Sequence, residues 1–249
     1  QDGVALSQNP YQSDALIIPT ESNLFLGFGQ TDGDINQFYS LLDFNLTTIL
    51  SDMAVDENPQ SSQEYYSITY NESENLIYYV YSDNRDFANN IYVQQFDLSG
   101  NSMWPSAIKI VETLVDGFLP SDDNVIGTVS NLYGGVTILF NSGNFLGTKI
   151  NAISVNSSGE ISDGWTQNGN RLCEYESDQY IESFVSTPYG VLLTFKDNRS
   201  LSNDIYAQLI SWSGDLMFDP YGWAISDAVN DQESSSMDFS VELNKALVC

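Results

Sequence analysis

Histidine is absent from this 249-residue chain and basic residues are scarce: 7 Lys and Arg stand against 34 Asp and Glu, for a formal net charge of -27. Without an imidazole, the usual general base near neutral pH, the commonest zinc ligand and every Ser-His or Cys-His arrangement are gone. The acid–base chemistry that remains belongs to carboxyl groups, either as the paired acid and nucleophile of a glycosidase or as hard oxygen ligands for calcium. So acidic a surface repels phosphate backbones and anionic headgroups, which excludes nucleic acid as an expected partner.

Cysteine occurs only at Cys173 and Cys249, without CxxC or other metal-ligand spacing. Neither a disulfide framework nor a zinc site has support, and two free thiols are expected. No apolar run approaches the roughly 18 to 20 residues of a membrane helix, and no basic segment followed by an apolar one opens the chain. Gln1 fits a processed terminus.

What the chain does hold is a repeat. Tyr81-Ser-Asp-Asn-Arg85, Asn90-Ile-Tyr-Val-Gln94, Asp97-Leu-Ser-Gly100 and Trp104 return as Phe195-Lys-Asp-Asn-Arg199, Asp204-Ile-Tyr-Ala-Gln208, Ser211-Trp-Ser-Gly214 and Phe218. The two copies lie 114 residues apart, and a degenerate one sits between them: Gly135 to Phe140, Lys149 to Ile153, Asn156-Ser-Ser-Gly159 and Trp165. Asn23 to Phe28 with Gln37 to Asp43 makes a weaker first copy. A period in this range marks a repeat architecture.

Within each copy, apolar and aromatic runs of five to eight residues alternate with Gly, Asn, Asp and Ser, the grammar of short strands and tight turns. In the last full copy the strands are expected near Ile181 to Ser186, Val191 to Phe195, Asp204 to Ile210 and Trp223 to Ser226. Ser106 to Leu114 could turn helical, but its β-branched residues favour a strand. The fold class is therefore all-β: a single β-propeller of four-stranded antiparallel blades, about five in number. The repeats run approximately 14–60, 61–118, 119–176 and 177–232, with a partial one from 233–249 combined with 1–13. Gly3 to Ser7 resembles a fourth strand, whereas Met237 to Leu243 and Ala246 to Cys249 resemble the first two strands of another blade. The last blade is thus either closed by the N-terminal strand or incomplete, and the natural chain is expected to continue past Cys249.

An aromatic, a D-x-R turn, (D/N)-I-Y-x-Q, a D-x-x-G turn and a Trp together resemble the propeller-like repeats of large secreted and cell-surface proteins of Bacteroidetes-type bacteria, many of them type IX secretion cargo. The resemblance implies a secreted or cell-surface, outer-membrane-associated location with protein partners there. It carries over no catalytic set.

Candidate sites have structural counterparts. The Asp83-Asn-Arg85 and Asp197-Asn-Arg199 turns are expected to be clamps, Asp capping backbone N–H groups and Arg reaching a neighbouring strand. Tyr92, Tyr206, Gly100, Gly159, Gly214, Trp104 and Trp165 complete the structural motif. Asp32 and Asp34 are the best candidates for a Ca²⁺ site among the acidic loops, ahead of Ser121-Asp-Asp123 and Asp227 to Glu233. No other cofactor is indicated. The D-x-x-G turns miss the S-x-D-x-G-x-x-W spacing of sialidase Asp-boxes, and the few arginines oppose recognition of an acidic sugar. Four sequons, beginning at Asn45, Asn71, Asn156 and Asn198, carry little weight in a bacterial protein.

The leading expectation is a non-enzymatic extracellular binding, adhesion or scaffold module, docked on an outer-membrane or secretion assembly. The alternative is a carbohydrate-binding lectin or a carboxylate-based glycoside hydrolase, with a glycan as partner. A purely structural segment of a surface filament is a third reading.

Overall fold

The β-branched and aromatic runs become strands wherever turn residues interrupt them. The computed structural model describes residues 12–32, 34–56, 61–86, 88–112, 122–144, 147–200, 202–226, 228–232 and 235–249. The first sheet holds β1 (Gln12–Pro19), β2 (Leu24–Asp32), β3 (Asp34–Leu42) and β4 (Thr48–Ala54). The second holds β5 (Gln63–Asn71), β6 (Leu76–Asp83), β7 (Asn90–Phe96) and β8 (Ile108–Val111). Next come β9 (Asp122–Ser130), β10 (Val136–Asn144), β11 (Gly147–Val155) and β12 (Asn170–Arg171), then β13 (Gln179–Thr187), β14 (Gly190–Asp197), β15 (Asp204–Ser211) and β16 (Trp223–Ser226). A hairpin of β17 (Met237–Ser240) and β18 (Lys245–Val248) follows.

Each of the four full sheets keeps its strands in sequence order, every neighbouring pair antiparallel. No helix occurs among the described residues. The all-β expectation of four-stranded antiparallel blades is met, and of Ser106 to Leu114 the described residues, which end at Glu112, contribute β8 rather than a helix. Gly3 to Ser7 lies outside the described residues.

Contacts between sheets show how the blades stand. The first strands meet one another, β1 against β5, β5 against β9, β9 against β13 and β13 against β17, so they form the inner edge. Second and third strands are covered on both faces: in β6 every residue from Ile77 to Asp83 is buried, and β7 is buried throughout. A strand sandwiched in this way reads as a near-continuous apolar run rather than an alternating one. Fourth strands such as β4 and β16 are largely exposed. Tyr78, Tyr79, Tyr81 and Phe96 are among the largest fully buried side chains, and such a side chain contributes about 1.5–3 kcal/mol on burial.

The turn after each third strand locks neighbouring blades. Gly100, Gly159 and Gly214 all adopt φ between +81° and +84°. Each donates its N–H back to the carbonyl of Asp97, Asn156 or Ser211, at 3.0–3.1 Å. Gly100 lies against Leu41 and Leu50 of the first blade, Gly159 against Trp104 and Ile108 of the second, and Gly214 against Asn170 and Gly164 of the third. A side chain at these positions would meet both the left-handed backbone and the preceding blade.

Candidate functional site

The repeated D-N-R turns close the second strand of their blades. Asp83 and Asp197, the last residues of β6 and β14, are fully buried. Oδ1 of each accepts the backbone N–H of the arginine two residues on, at 2.8 Å in both copies. Arg85 Nη2 donates to Asp83 Oδ2 and, at 2.8 Å, to Asp56 Oδ2. Arg199 Nη2 reaches Asp197 Oδ2 at 2.7 Å and the Tyr221 carbonyl at 2.8 Å. The guanidinium planes lie over the rings of Tyr92 and Tyr206, with Arg Cζ at 4.2 Å and 3.8 Å from the centroids. The middle residue ties the turn to the approach to the inner strand: Asn84 Oδ1 accepts the Ser62 N–H at 2.9 Å, and Asn198 Oδ1 that of Asp178 at 3.2 Å. Burial by itself would raise the Asp197 carboxyl, but hydrogen bonds from Arg199 and Ser177 hold it below the usual carboxylate range. The charges of these turns are spent inside the blade. Trp104 packs beside Gly159, and Trp165 Nε1 donates to the Trp212 carbonyl at 3.1 Å.

Asp34 opens β3 as an exposed residue in register with Asp32, while Gly33 and the side chain of Asp32 lie outside the described residues. Among the described residues, no group of three or more carboxylate or thiol side chains could hold a metal ion. Ser121, Asp227 and Glu233 lie outside them, and Asp123 is buried as an acceptor for the Ser142 hydroxyl. Cys173 is a buried thiol and Cys249 an exposed one, both free.

The residues that converge on a cleft are others, and a bulge repeated in the inner strand of each of the four full blades helps to place them. Pairing with the second strand skips Asp14 on β1, one residue of the Tyr65-Tyr66 pair on β5, Ile126 on β9 and Glu182 on β13, all at the same level. A bulge adds one residue, bends the strand and re-aims its side chains. Asp14 and Tyr65 take left-handed backbone at φ +31° and +45°, conformations that persist only where their surroundings hold them.

Between the first three blades these bulges frame a cleft of about 480 Å³. Asp14 of β1, Gln37 of β3, Glu64, Tyr65 and Tyr66 of β5, and Val125 of β9 line it, and none of its described lining residues is basic. Tyr66 Oη donates to the Asp14 carbonyl at 2.7 Å and lies 3.2 Å from that of Gly27, which joins the second blade to the first. Burial, reinforced by the charge of Asp14, pushes the Tyr66 hydroxyl up to about 12, so it remains a donor at neutral pH. Beneath, Gln63 Oε1 accepts the Gln37 N–H at 2.8 Å, and Gln37 Nε2 returns a bond to the Gln63 carbonyl at 2.7 Å. Tyr79 Oη donates to Gln37 Oε1 at 2.8 Å. Gln63 Nε2 is buried without a partner, a donor left open under a polar cleft. Glu182, at the equivalent bulge of β13, instead lies 3.6 Å from Lys196 Nζ.

None of Asp14, Glu64, Tyr65 and Tyr66 stands out in the sequence as a site residue. The one local signal is Tyr65-Tyr66, adjacent aromatics that break strand alternation where the bulge occurs.

No known family's sequence pattern matches the chain, and no curated protein does. Solved structures do match. A protein of unknown function from Dyadobacter fermentans aligns at 9% identity with a TM-score of 0.59, over 96% of this chain and 74% of that one. The Trypanosoma rangeli sialidase, in complex with 2,3-difluorosialic acid as a covalent intermediate, aligns at 8% identity with a TM-score of 0.57, over 97% of this chain and 44% of that one. An endo-arabinase from Bacteroides thetaiotaomicron aligns at 11% identity with a TM-score of 0.48, over 79% and 74%.

Likenesses so distant in sequence concern the fold. They nevertheless correct the expectation of a non-enzymatic binding, adhesion or scaffold module, and with it the expectation that the chain is not an enzyme. A sialidase shares this architecture, so the fold itself gives no ground for excluding an enzyme. The physical reason is that a propeller assembles its reactive groups from inner strands about one repeat apart, so the lack of a local catalytic motif excludes nothing.

Proposed function

We propose that the chain is a carbohydrate-active propeller of the glycoside hydrolase type, with Asp14 and Glu64 as its carboxylate pair. The observation that carries this reading is their convergence, with Tyr65 and Tyr66, on one cleft at the bulged starts of two inner strands. Two carboxyl groups flanking a glycosidic bond, one protonating the leaving oxygen and the other activating water or attacking the sugar, are all that such hydrolysis requires of its acid–base groups. A chain without histidine can supply that pair. The half-exposed ring of Tyr65 offers a face to a pyranose, and the Tyr66 hydroxyl fixes the backbone that carries Asp14.

The proposed substrate is a neutral glycan, because the described lining of the cleft holds no cation to pair with a sugar carboxylate. A fifth blade begun by β17 and β18, and an extracellular setting, belong to the same proposal. They rest on the packing of the hairpin beside β13 and on the resemblance of the repeat.

The test is release of reducing ends from neutral polysaccharides and their oligomers. Asp14→Asn and Glu64→Gln should each lower kcat by about 10²- to 10⁴-fold with unchanged thermal stability. Turnover indifferent to both substitutions would remove this pair from the chemistry, and glycan binding without any turnover would reduce the reading to a lectin.

A further inference from the structure

A second cleft, of about 500 Å³, opens between the third and fourth blades. Tyr133 comes from the turn joining β9 to β10, Asn156 and Glu160 from the turn after β11, and Trp212 from the turn after β15. These turns lie at the opposite end of the strands from Asp14 and Glu64, which stand near the starts of β1 and β5. The two clefts therefore open on opposite faces.

We infer that this second cleft is a saccharide-binding site for a neutral sugar unit, separate from the one proposed for hydrolysis. Trp212 is only 6% exposed, and its Nε1–H is buried without an acceptor. Trp165 beside it differs, because its own Nε1–H is satisfied by the Trp212 carbonyl at 3.1 Å. A buried donor with no partner is costly and uncommon, and a ligand oxygen that reached it through a small shift of the Trp212 turn would relieve it. Tyr133 is 62% exposed, so most of its side chain is free to cover an apolar face of a ligand. Glu160 and Asp163 add carboxylate acceptors: Asn156 Nδ2 steadies Glu160 Oε2 at 3.3 Å, and neither carboxylate pairs with a cation among the described residues.

Competing ligand classes each leave part of this set unused. A phosphate or uronate meets two negative charges, and an apolar molecule leaves the carboxylates dry. An amine would satisfy the carboxylates but not the indole N–H. A pyranose uses all three features at once: its C–H face on Tyr133, hydroxyl hydrogens to Glu160 and Asp163, and a hydroxyl oxygen for Trp212. The inference goes beyond the reading of the central cleft and draws on different residues.

Titration of the intact chain with arabinan-, mannan-, xylan- and cellulose-derived oligosaccharides, followed by tryptophan fluorescence and calorimetry, tests it. Thermal melts accompany each variant. Tyr133→Ala, an exposed change, should weaken binding at least tenfold for some member of the panel, and Trp212→Phe, which keeps a ring but removes the donor, about tenfold. The Asp14→Asn, Glu64→Gln double variant should keep that binding while losing hydrolysis. Binding unaltered in both Tyr133→Ala and Trp212→Phe, or lost only in the central double variant, would overturn the second site. Binding lost in Tyr133→Ala in a chain that hydrolyses nothing would uphold the second site and refute the hydrolase.

Discussion

Leu46 takes the backbone place in the first blade that Gly100 takes in the second. Both are left-handed, at φ +63° and +81°, and both donate their N–H to the carbonyl three residues back, Asp43 at 2.9 Å and Asp97 at 3.1 Å. The carboxylates match as well: Asp43 Oδ1 accepts the N–H groups of Asn45 and Thr47, and Asp97 Oδ1 those of Ser99 and Asn101, all at 2.8 Å. The turn is thus repeated four times, with glycine replaced once.

This equivalence predicts opposite outcomes for reciprocal changes. Leu46→Gly should stabilise the fold by about 0.5–1 kcal/mol, because relief of left-handed strain exceeds the extra chain entropy of glycine. Gly100→Ala should destabilise it by about 2 kcal/mol, since the new methyl would lie 2.7 Å from Leu50 and 2.9 Å from Leu41. Urea midpoints of the two variants check both signs.

Arg199 contributes through geometry as well as charge. Lysine could keep an ion pair with Asp197 but not the flat contact with Tyr206 or the simultaneous bond to the Tyr221 carbonyl. Arg199→Lys should therefore cost about 2 kcal/mol, against about 3–5 kcal/mol for Arg199→Met, which strands a buried carboxylate. Thermal and chemical denaturation would rank them; equal losses would mean that the charge alone contributes nothing and the guanidinium geometry carries the whole effect.

The Asp197 carboxyl also fixes a pH dependence. Its folded pKa is lowered, so the unfolded chain binds its proton first as pH falls. The stability contributed is complete above the ordinary aspartate value and fades as pH drops from about 5 through the folded value. Asp197→Asn should lower stability at pH 7 and flatten the slope of stability against pH in that acid window. An unchanged slope in acid titration followed by circular dichroism would contradict this.

Tyr66→Phe removes the hydroxyl that bonds the Asp14 carbonyl. It should cost about 1 kcal/mol of stability and lower kcat more than it raises KM, since it loosens the strand carrying a reacting group without touching the binding rings. A KM effect alone would place Tyr66 in substrate binding.

The strands were legible because their signals are local. Expected strands near Ile181 to Ser186, Val191 to Phe195, Asp204 to Ile210 and Trp223 to Ser226 lie within β13, β14, β15 and β16. Alternation, β-branching and turn residues act over a few positions. The first-blade turn at Asp43 was harder to see, because Leu46 hides the glycine by which the others are recognised.

By itself the sequence determined an all-β chain of repeated antiparallel blades, and a chemistry restricted to carboxylates, hydroxyls and aromatic rings. Only the tertiary structure decided which of the 34 acidic residues line a common cleft. Asp14 and Glu64 are separated by a whole repeat, and neither has a local motif to mark it. They line one cleft because adjacent blades bury their inner edges against each other, and because a one-residue bulge takes Asp14 out of the pleat of β1 while Glu64 stands beside the equivalent bulge at Tyr65 and Tyr66 of β5.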